Sequence, residues 1–328
     1  MSRCWVIGSH GLLGAALVRN LRAGGSQLFE PEGRFNWNDP KTLANQFGAA
    51  VAAFGECLSD SPSWEIYWAA GAGTFQSDAT AMANENRMVL GLLEGLNAKP
   101  SLRRAQGAVA LASSAGGIYA GCRDPIITEA SAVAPNTAYA QAKLVQEQHL
   151  DAFARSHGRV VGLAARLSTL YGPGQASAKP QGLLTNMARN IVRGRAVQIF
   201  VPLDTVRDYI TSDDAARDIV SALRGLPADP ESTVRIVAGE TPVTISEIVA
   251  TFRRVSPRPP LVITGSHVLS ALYPRSIRFR SNGRHVALRP QRTSLAIGIA
   301  RLLEGERMAY VSGCARHGSH TPAPGKQP

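Results

Sequence analysis

The sequence predicts an α/β protein built on a doubly wound parallel sheet with helices on both faces. Short apolar runs alternate with longer helical patterns through the first half of the chain. One of these runs, Ala108–Ala112, carries no charge, as expected for a strand covered on both faces. A glycine-rich turn joins the first run, Cys4–Ile7, directly to a helical pattern. These three features together are typical of repeated strand–helix–strand units.

Composition limits the class of protein. The chain has 328 residues, of which 45% are hydrophobic and 18% charged, so it can bury a large core in one domain or in two lobes. Its cysteines are scattered, which fits a reducing compartment. There is no signal-peptide pattern and no apolar run near the roughly 20 residues that span a bilayer. We therefore expect a cytoplasmic protein without a membrane partner.

The net charge of +11 is unevenly distributed. The whole excess lies beyond residue 250, where only Glu304 and Glu306 oppose many arginines. Such a region could bind nucleic acid, a membrane surface or an anionic small molecule, or form a solvated face. It lacks interleaved aromatic residues and any nucleic-acid motif, so we expect no nucleic-acid partner.

The first strand and its turn predict a nucleotide site. Cys4–Ile7 runs into Gly8, Gly11 and Gly14, each separated by two residues, and then into a helix. Glycines allow a tight turn and close backbone approach, and a helix N-terminus offers N–H groups to a pyrophosphate. The alternative is a glycine-rich loop without a ligand. The predicted cofactor contacts in this turn are Gly8, His10, Gly11, Leu12, Leu13 and Gly14.

The second strand, Gln27–Phe29, leaves the choice of cofactor open. An acidic residue at its end would bind an adenosine ribose, whereas an arginine would pair with a 2′-phosphate. Glu30 and Glu32 offer the first and Arg34 the second. Residues 41–58 then form a predicted helix.

The next strand–helix pair supplies further candidates. Strand Glu65–Ala70 ends in Ala69 and Ala70, whose small side chains would let the backbone pass close to a flat ring. The helix Asn84–Leu96 carries Asn86 near its start, as a substrate contact or a surface residue.

Strand Ala108–Ala112 delivers Ser113 and Ser114 to its carboxyl end, where open α/β sheets bind ligands. Either hydroxyl could hydrogen-bond a substrate oxygen, or both could simply form a turn.

A helix predicted over Ala138–Phe153 carries Tyr139 and Lys143 at positions i and i+4, on one face. A free phenol, with a pKa of about 10, is a poor base near neutrality, but an adjacent ammonium favours the phenolate. Such a pair could exchange a proton with a substrate hydroxyl. Alone, it could equally be an exposed tyrosine and lysine. Arg159–Arg166 follows as another buried strand.

These motifs, in this order and spacing, resemble the extended short-chain dehydrogenase/reductase family. Two later segments, Tyr171–Gln175 and Arg207–Asp214, are similar to further signatures of that family. The resemblance covers nearly all of residues 3–305 and is strongest to the NAD-dependent epimerase/dehydratase branch, which acts on nucleotide sugars. It implies a Rossmann-type sheet with a smaller C-terminal substrate-binding lobe.

The resemblance also implies roles. Tyr139 would be the catalytic acid/base, with Lys143 assisting it and holding the nicotinamide ribose. Ser114 would hydrogen-bond the reacting oxygen, and Arg207 would contact the nucleotide diphosphate. Further contacts would be Ser113 and Asn86 to the substrate. NAD is the implied cofactor, with NADP possible, and we expect a homodimer.

Departures from the family pattern reduce the number of activities that the resemblance allows. Dehydratases usually carry an Asp-Glu pair where this chain has Ala115 and Gly116, so we discount dehydration. Ser168 and the segment Val201–Asp204 also differ from relatives, and the short region after the second strand is similar to nucleotide-sugar reductases. The leading hypothesis is an epimerase acting by transient oxidation of a sugar hydroxyl. The alternatives are an NADPH-dependent reductase and a non-catalytic NAD(P)-binding sensor.

The predicted organisation has two lobes and a tail. Residues 1–170 and about 206–240 would form the cofactor-binding domain, and about 171–205 with 241–312 the substrate-binding lobe. Residues 313–328 are rich in proline and poor in apolar residues, which predicts disorder. Within them Cys314, His317 and His320 have metal-like spacing without a fourth ligand, so no metal site is expected.

Overall fold

The computed structural model describes residues 2–58, 63–174, 182–265, 274–283 and 291–317, with side chains described as far as residue 312. The helices are α1 Leu12–Ala23, α2 Pro40–Glu56, α3 Ala79–Ala98, α4 Pro100–Arg104, α5 Ala115–Ile118, α6 Ala138–His157, α7 Leu183–Val192, α8 Ser212–Arg224, α9 Ile245–Val255 and α10 Leu295–His317. The strands are β1 Arg3–Ile7, β2 Gln27–Phe29, β3 Ser63–Trp68, β4 Gln106–Ser114, β5 Val160–Leu167, β6 Thr169–Tyr171, β7 Val197–Ile199, β8 Val206–Arg207, β9 Tyr209–Thr211, β10 Ser232–Val237, β11 Val243–Thr244 and β12 Val262–Thr264.

The central sheet has six parallel strands in the order β10-β5-β4-β3-β1-β2. The chain adds β2 on one side of β1 and then crosses to add β3 on the other. This reversal opens a crevice at the carboxyl ends of β1 and β3, where doubly wound folds bind ligands. The predicted fold class is confirmed.

Each face of the sheet has its own apolar core. Along β1, Trp5 and Ile7 pack on one face with α2, α3 and α6, whereas Cys4 and Val6 pack on the other with α1 and α8. This alternation follows from the two-residue period of a strand. Because both faces are covered, the strands can be apolar throughout.

A third apolar cluster lies outside the central sheet. It joins α7, α9 and α10 and includes Met187, Phe252 and Leu302. These residues belong to the segments that the sequence assigns to a substrate-binding lobe. The division of the chain into two lobes stays a prediction.

Several element boundaries differ from those predicted. Strand β3 ends at Trp68, so Ala69 and Ala70 lie in the loop that follows it. Helix α3 begins at Ala79 because Asp78 caps it, its side chain accepting a hydrogen bond of 2.7 Å from the N–H of Ala81. Helix α10 runs to His317, beyond the predicted start of the tail at residue 313, and the disorder of the tail stays a prediction. Residues 318–328, including the candidate ligand His320, lie outside the described part, as do the side chains of Cys314 and His317.

Candidate active site

The turn between β1 and α1 packs directly against the loop after β3. Gly8 has φ +87°, and a Cβ atom there would lie 2.6 Å from the backbone nitrogen of Ala70. A Cβ atom on Gly14 would lie 2.1 Å from the carbonyl oxygen of Gly8. Two of the glycines are therefore required by close backbone contacts. Gly11 precedes α1 without a side chain, which leaves the first N–H groups of the helix to a ligand.

A cavity of about 1060 Å³ begins at this turn. It lies at the crevice between β1 and β3 and is large enough for a dinucleotide. Of the predicted cofactor contacts, those lining it are Gly8, His10, Gly11, Arg34, Ala69 and Ala70. The Leu13 side chain is instead buried in the core, so only its backbone could serve a cofactor.

Charged residues line the part of the cavity near the end of β2. Glu30 lies 2.5 Å from the Arg22 guanidinium in an exposed ion pair, a type of pair that contributes little stability in water. Arg34 lines the same part of the cavity and is exposed. Arg22, on α1, was not among the residues predicted, because only the fold brings it beside β2. The cavity thus offers both a carboxylate and two guanidinium groups to an adenosine ribose.

Two of the predicted catalytic residues, Ser114 and Tyr139, lie beside Gly117, and Lys143 lies one turn along α6 from the tyrosine. Thr137 caps α6, accepting a hydrogen bond of 3.2 Å from the N–H of Ala140, and so sets the register of Tyr139 and Lys143. The Lys143 Nζ lies 5.8 Å from the centroid of the Tyr139 ring. A Cβ atom on Gly117 would lie 3.3 Å from both the Ser114 Oγ and the Tyr139 ring, so both side chains lie next to this glycine.

Tyr139 also borders the loop that continues from the cavity. Its ring lies 5.7 Å from that of Phe75, centroid to centroid. A Cβ atom on Gly73, which lines the cavity, would lie 3.1 Å from the Tyr139 ring. The tyrosine therefore lies against a loop that forms part of the cavity wall, although it is not itself among the residues that line the cavity.

The two adjacent serines differ in what their hydroxyl groups contact. Ser114 caps α5, and its Oγ accepts a hydrogen bond of 3.2 Å from the N–H of Gly117. Ser113 is buried and donates its proton to Glu147 over 2.6 Å. Successive strand residues point to opposite faces, which separates the two. Among the described residues, the Ser114 hydroxyl is found only as an acceptor, whereas the Ser113 proton is donated to Glu147 inside the protein.

Glu147 belongs to a buried hydrogen-bond network that links Ser113 to Arg166. Arg166 donates to both of its carboxylate oxygens, the shortest bond being 2.6 Å, and also donates 2.5 Å to the Tyr119 hydroxyl. Burial raises the pKa of Tyr119, although Arg166 opposes the change. Sequence reasoning missed this network, because its members come from β4, β5, α6 and the end of α5.

A second buried network holds Lys143. Its ammonium donates to Glu85 over 2.8 Å and to the Gln146 side chain over 3.0 Å. The Gln146 amide in turn donates 3.0 Å to Asn86. Burial acts to raise the pKa of Glu85, but the Lys143 ammonium, together with hydrogen bonds from Gln146 and Gly73, outweighs burial and holds that pKa below the usual range. Asn86 was predicted as a substrate contact, and its neighbour Glu85, which lines the cavity, was overlooked.

Arg207 lies in β8 and donates 2.8 Å to the carbonyl of Val206. It is not among the residues that line the large cavity, so its contact with a substrate stays a prediction. Within the described ranges, no cluster of three or more His, Cys, Asp or Glu side chains could hold a metal ion. None of the described helices has the length and apolar character needed to cross a membrane.

Comparison with known proteins identifies relatives. Residues 4–236 match the model of the NAD dependent epimerase/dehydratase family. Among curated proteins, dTDP-4-dehydro-6-deoxyglucose reductase from Escherichia coli is 27% identical over 144 residues, which is 44% of each chain. The alignment thus spans less than half of that relative.

Several solved structures share the fold over almost the whole chain. MoeE5 in complex with UDP-glucuronic acid and NAD has a TM-score of 0.74 at 22% identity, covering 94% of this chain and 100% of its own. UDP-glucose 4-epimerase from Thermotoga maritima has a TM-score of 0.73 at 18% identity, covering 94% and 99%. RMD from Pseudomonas aeruginosa, complexed with NADPH, has a TM-score of 0.74 at 18% identity, covering 94% and 100%.

Proposed function

Because the chain belongs to the NAD-dependent epimerase/dehydratase family, we propose that it is a nucleotide-sugar epimerase that transiently oxidises a sugar hydroxyl. It is an NAD(P)-dependent enzyme of the extended short-chain dehydrogenase/reductase type. The observation that carries the proposal is the convergence of Tyr139, Lys143 and Ser114 beside the large cavity. Each of these residues offers a group that reversible hydroxyl oxidation requires.

The residues present fit NAD(P). The turn at Gly8 and the first N–H groups of α1 would hold the pyrophosphate. The loop at Ala69 and Ala70 offers a wall without bulky side chains, and Lys143 would reach a ribose hydroxyl. Bound NAD(P) supplies the acceptor and donor of the hydride.

Side chains of the protein itself would carry out the proton transfer. Tyr139 Oη would take the proton of the sugar hydroxyl as the carbon loses hydride, and return it when hydride comes back. The Lys143 ammonium favours the phenolate during that exchange. Ser114 would donate a hydrogen bond to the same sugar oxygen, a role that its neighbour Ser113 cannot share while it donates to Glu147.

Epimerisation is supported over dehydration by the residues after Ser114. Ala115 and Gly116 carry no acid that could protonate a leaving hydroxyl. Relatives of the same fold include enzymes named as UDP-glucose and UDP-glucuronic acid 4-epimerases. A nucleotide sugar is therefore the proposed substrate, with Arg207 near its diphosphate. The cytoplasmic location and the homodimer stay predictions.

Net reduction with NADPH is the second candidate. Arg22 and Arg34 line the cavity where a 2′-phosphate would lie, and guanidinium groups pair well with phosphate. The curated relative is named as a reductase, and RMD was solved with NADPH.

One assay separates these candidates. The purified protein is incubated with a panel of UDP- and dTDP-sugars, and with their 4-keto derivatives, while products and NAD(P)H are followed together. Isomer formation without net change in NAD(P)H supports epimerisation. Stoichiometric loss of NADPH supports reduction. Cofactor binding without any turnover would favour the sensor, and Tyr139→Phe serves as the inactive control.

A further inference from the structure

A buried carboxylate on α3 is paired with the lysine of the candidate active site. The Glu85 Oε1 lies 2.8 Å from the Lys143 Nζ, and both side chains are less than a tenth exposed. The other Glu85 oxygen accepts a hydrogen bond of 3.3 Å from the N–H of Gly73, in the cavity wall beside Tyr139. Glu85 thus contacts both the lysine and the loop that borders the tyrosine.

The hydrogen-bond acceptors around Lys143 show how many of its N–H donors are used inside the protein. An ammonium has three N–H donors. Glu85 accepts one and the Gln146 side chain accepts another, and Gln146 itself is fully buried. The ammonium is therefore held from two sides, and no other acceptor for it is found among the described residues, so its third donor could serve a ribose hydroxyl or the phenol.

Other charged groups around the buried pair are already matched. On α6, Glu147 lies one turn beyond the lysine and is paired with Arg166 of β5, which also contacts Tyr119. Strand β4, helix α5 and the loop over residues 69–77 carry no charged side chain. The Glu85 carboxylate is thus the charge that most directly reduces the electrostatic effect of the Lys143 ammonium on the Tyr139 phenol.

We propose that Glu85 is a positioning residue that fixes the Lys143 ammonium and partly offsets its field, setting the pH at which Tyr139 exchanges its proton. This inference rests on the proposed role of Tyr139 as acid/base. A bare ammonium would stabilise the phenolate strongly, whereas an ammonium paired with a carboxylate does so less. The role of Glu85 holds for either direction of hydride transfer.

The test is the pH dependence of Glu85→Gln, which keeps the shape of the side chain and removes its charge. We expect the pH midpoint of the rate profile to move down by about one unit, because the ammonium then acts on the phenol without an opposing charge. Glu85→Asp retains the charge, so the pH midpoint of its rate profile should lie close to that of the wild type. If Glu85→Gln does not fold, Glu85→Asp gives the same test with a smaller downward shift.

A matched control separates this effect from loss of stability. Glu306→Gln breaks another buried ion pair, in which Glu306 lies 3.1 Å from Arg189 in the third apolar cluster's region. We expect it to lower stability while leaving the pH midpoint unchanged. An unshifted profile in both Glu85 variants, or an equal shift in Glu306→Gln, would overturn the inference.

A measurement that requires no substrate turnover makes this test independent of the proposed function. Tyrosinate absorbance is titrated in the wild type and in Tyr139→Phe, and their difference reports the phenol of Tyr139. The same difference is taken in the Glu85→Gln background. A downward shift with no activity on any sugar would support Glu85 and refute the proposed function. Activity with no shift by either readout would do the reverse.

Discussion

Asp208 provides a quantitative test of the structure, because this carboxyl is almost completely buried between β8 and β9. One oxygen accepts a hydrogen bond of 2.7 Å from the N–H of Gly239. Burial raises the pKa of Asp208 from 3.8 to about 6. The folded state therefore favours the protonated form, and ionisation destabilises it.

The sign and size of the effect follow from proton linkage. Below the unfolded pKa both states are protonated, and Asp208 imposes no cost. Above the folded pKa both states are ionised, and the full difference of about two units costs about 3 kcal/mol. Asp208→Asn removes this cost. Between about pH 4.5 and about pH 7.5, the stability of the variant relative to wild type should increase by about 2 kcal/mol.

The measurement is the free energy of unfolding in urea at several pH values. Comparing the variant with wild type across pH cancels the fixed cost of placing an amide in the site. Asp204→Asn is the control, because this exposed carboxylate pairs with Arg275, which lowers its pKa. Its small pH dependence should have the opposite sign. A difference between Asp208→Asn and wild type that stays constant with pH would refute the reasoning.

Further predictions concern the site itself. Tyr139→Phe keeps the ring and its packing, so cofactor binding measured by fluorescence should survive while turnover falls roughly 10²–10⁴-fold; near-full activity would contradict the mechanism. Lys143→Met should weaken both properties, since one ammonium serves the phenol and the ribose, and loss of only one would contradict this. Arg34→Ala should weaken NADP more than NAD in parallel titrations, and an equal loss would exclude a 2′-phosphate contact. Gly14→Ala should abolish cofactor binding because its Cβ meets backbone at 2.1 Å, whereas Gly91→Ala, with nothing within 4 Å, should bind as wild type.

Local physics allowed much of this protein to be predicted from its sequence. Strand β2 has the predicted bounds Gln27–Phe29, and α6 begins at the predicted Ala138. Gly8 and Gly14 were predicted because a nucleotide turn needs close backbone approach, and the structure shows the contacts that require them. The common face of Tyr139 and Lys143 follows from the helical period alone. Each of these inferences depends on neighbours in the chain.

The partners of the buried polar groups could be decided only by tertiary structure. The residues alone did not separate Ser113 from Ser114, and only the family resemblance favoured Ser114 as catalytic; the packing of α6 against β4 pairs Ser113 with Glu147. Asn86 was predicted as a substrate contact and its neighbour Glu85 was not considered, yet the helix turns the glutamate toward Lys143 and into the cavity wall. Arg22 reaches the cavity because α1 packs beside β2. A buried charge is stable only when a partner meets it, and here those partners lie on other elements, at distances along the chain that no local pattern encodes.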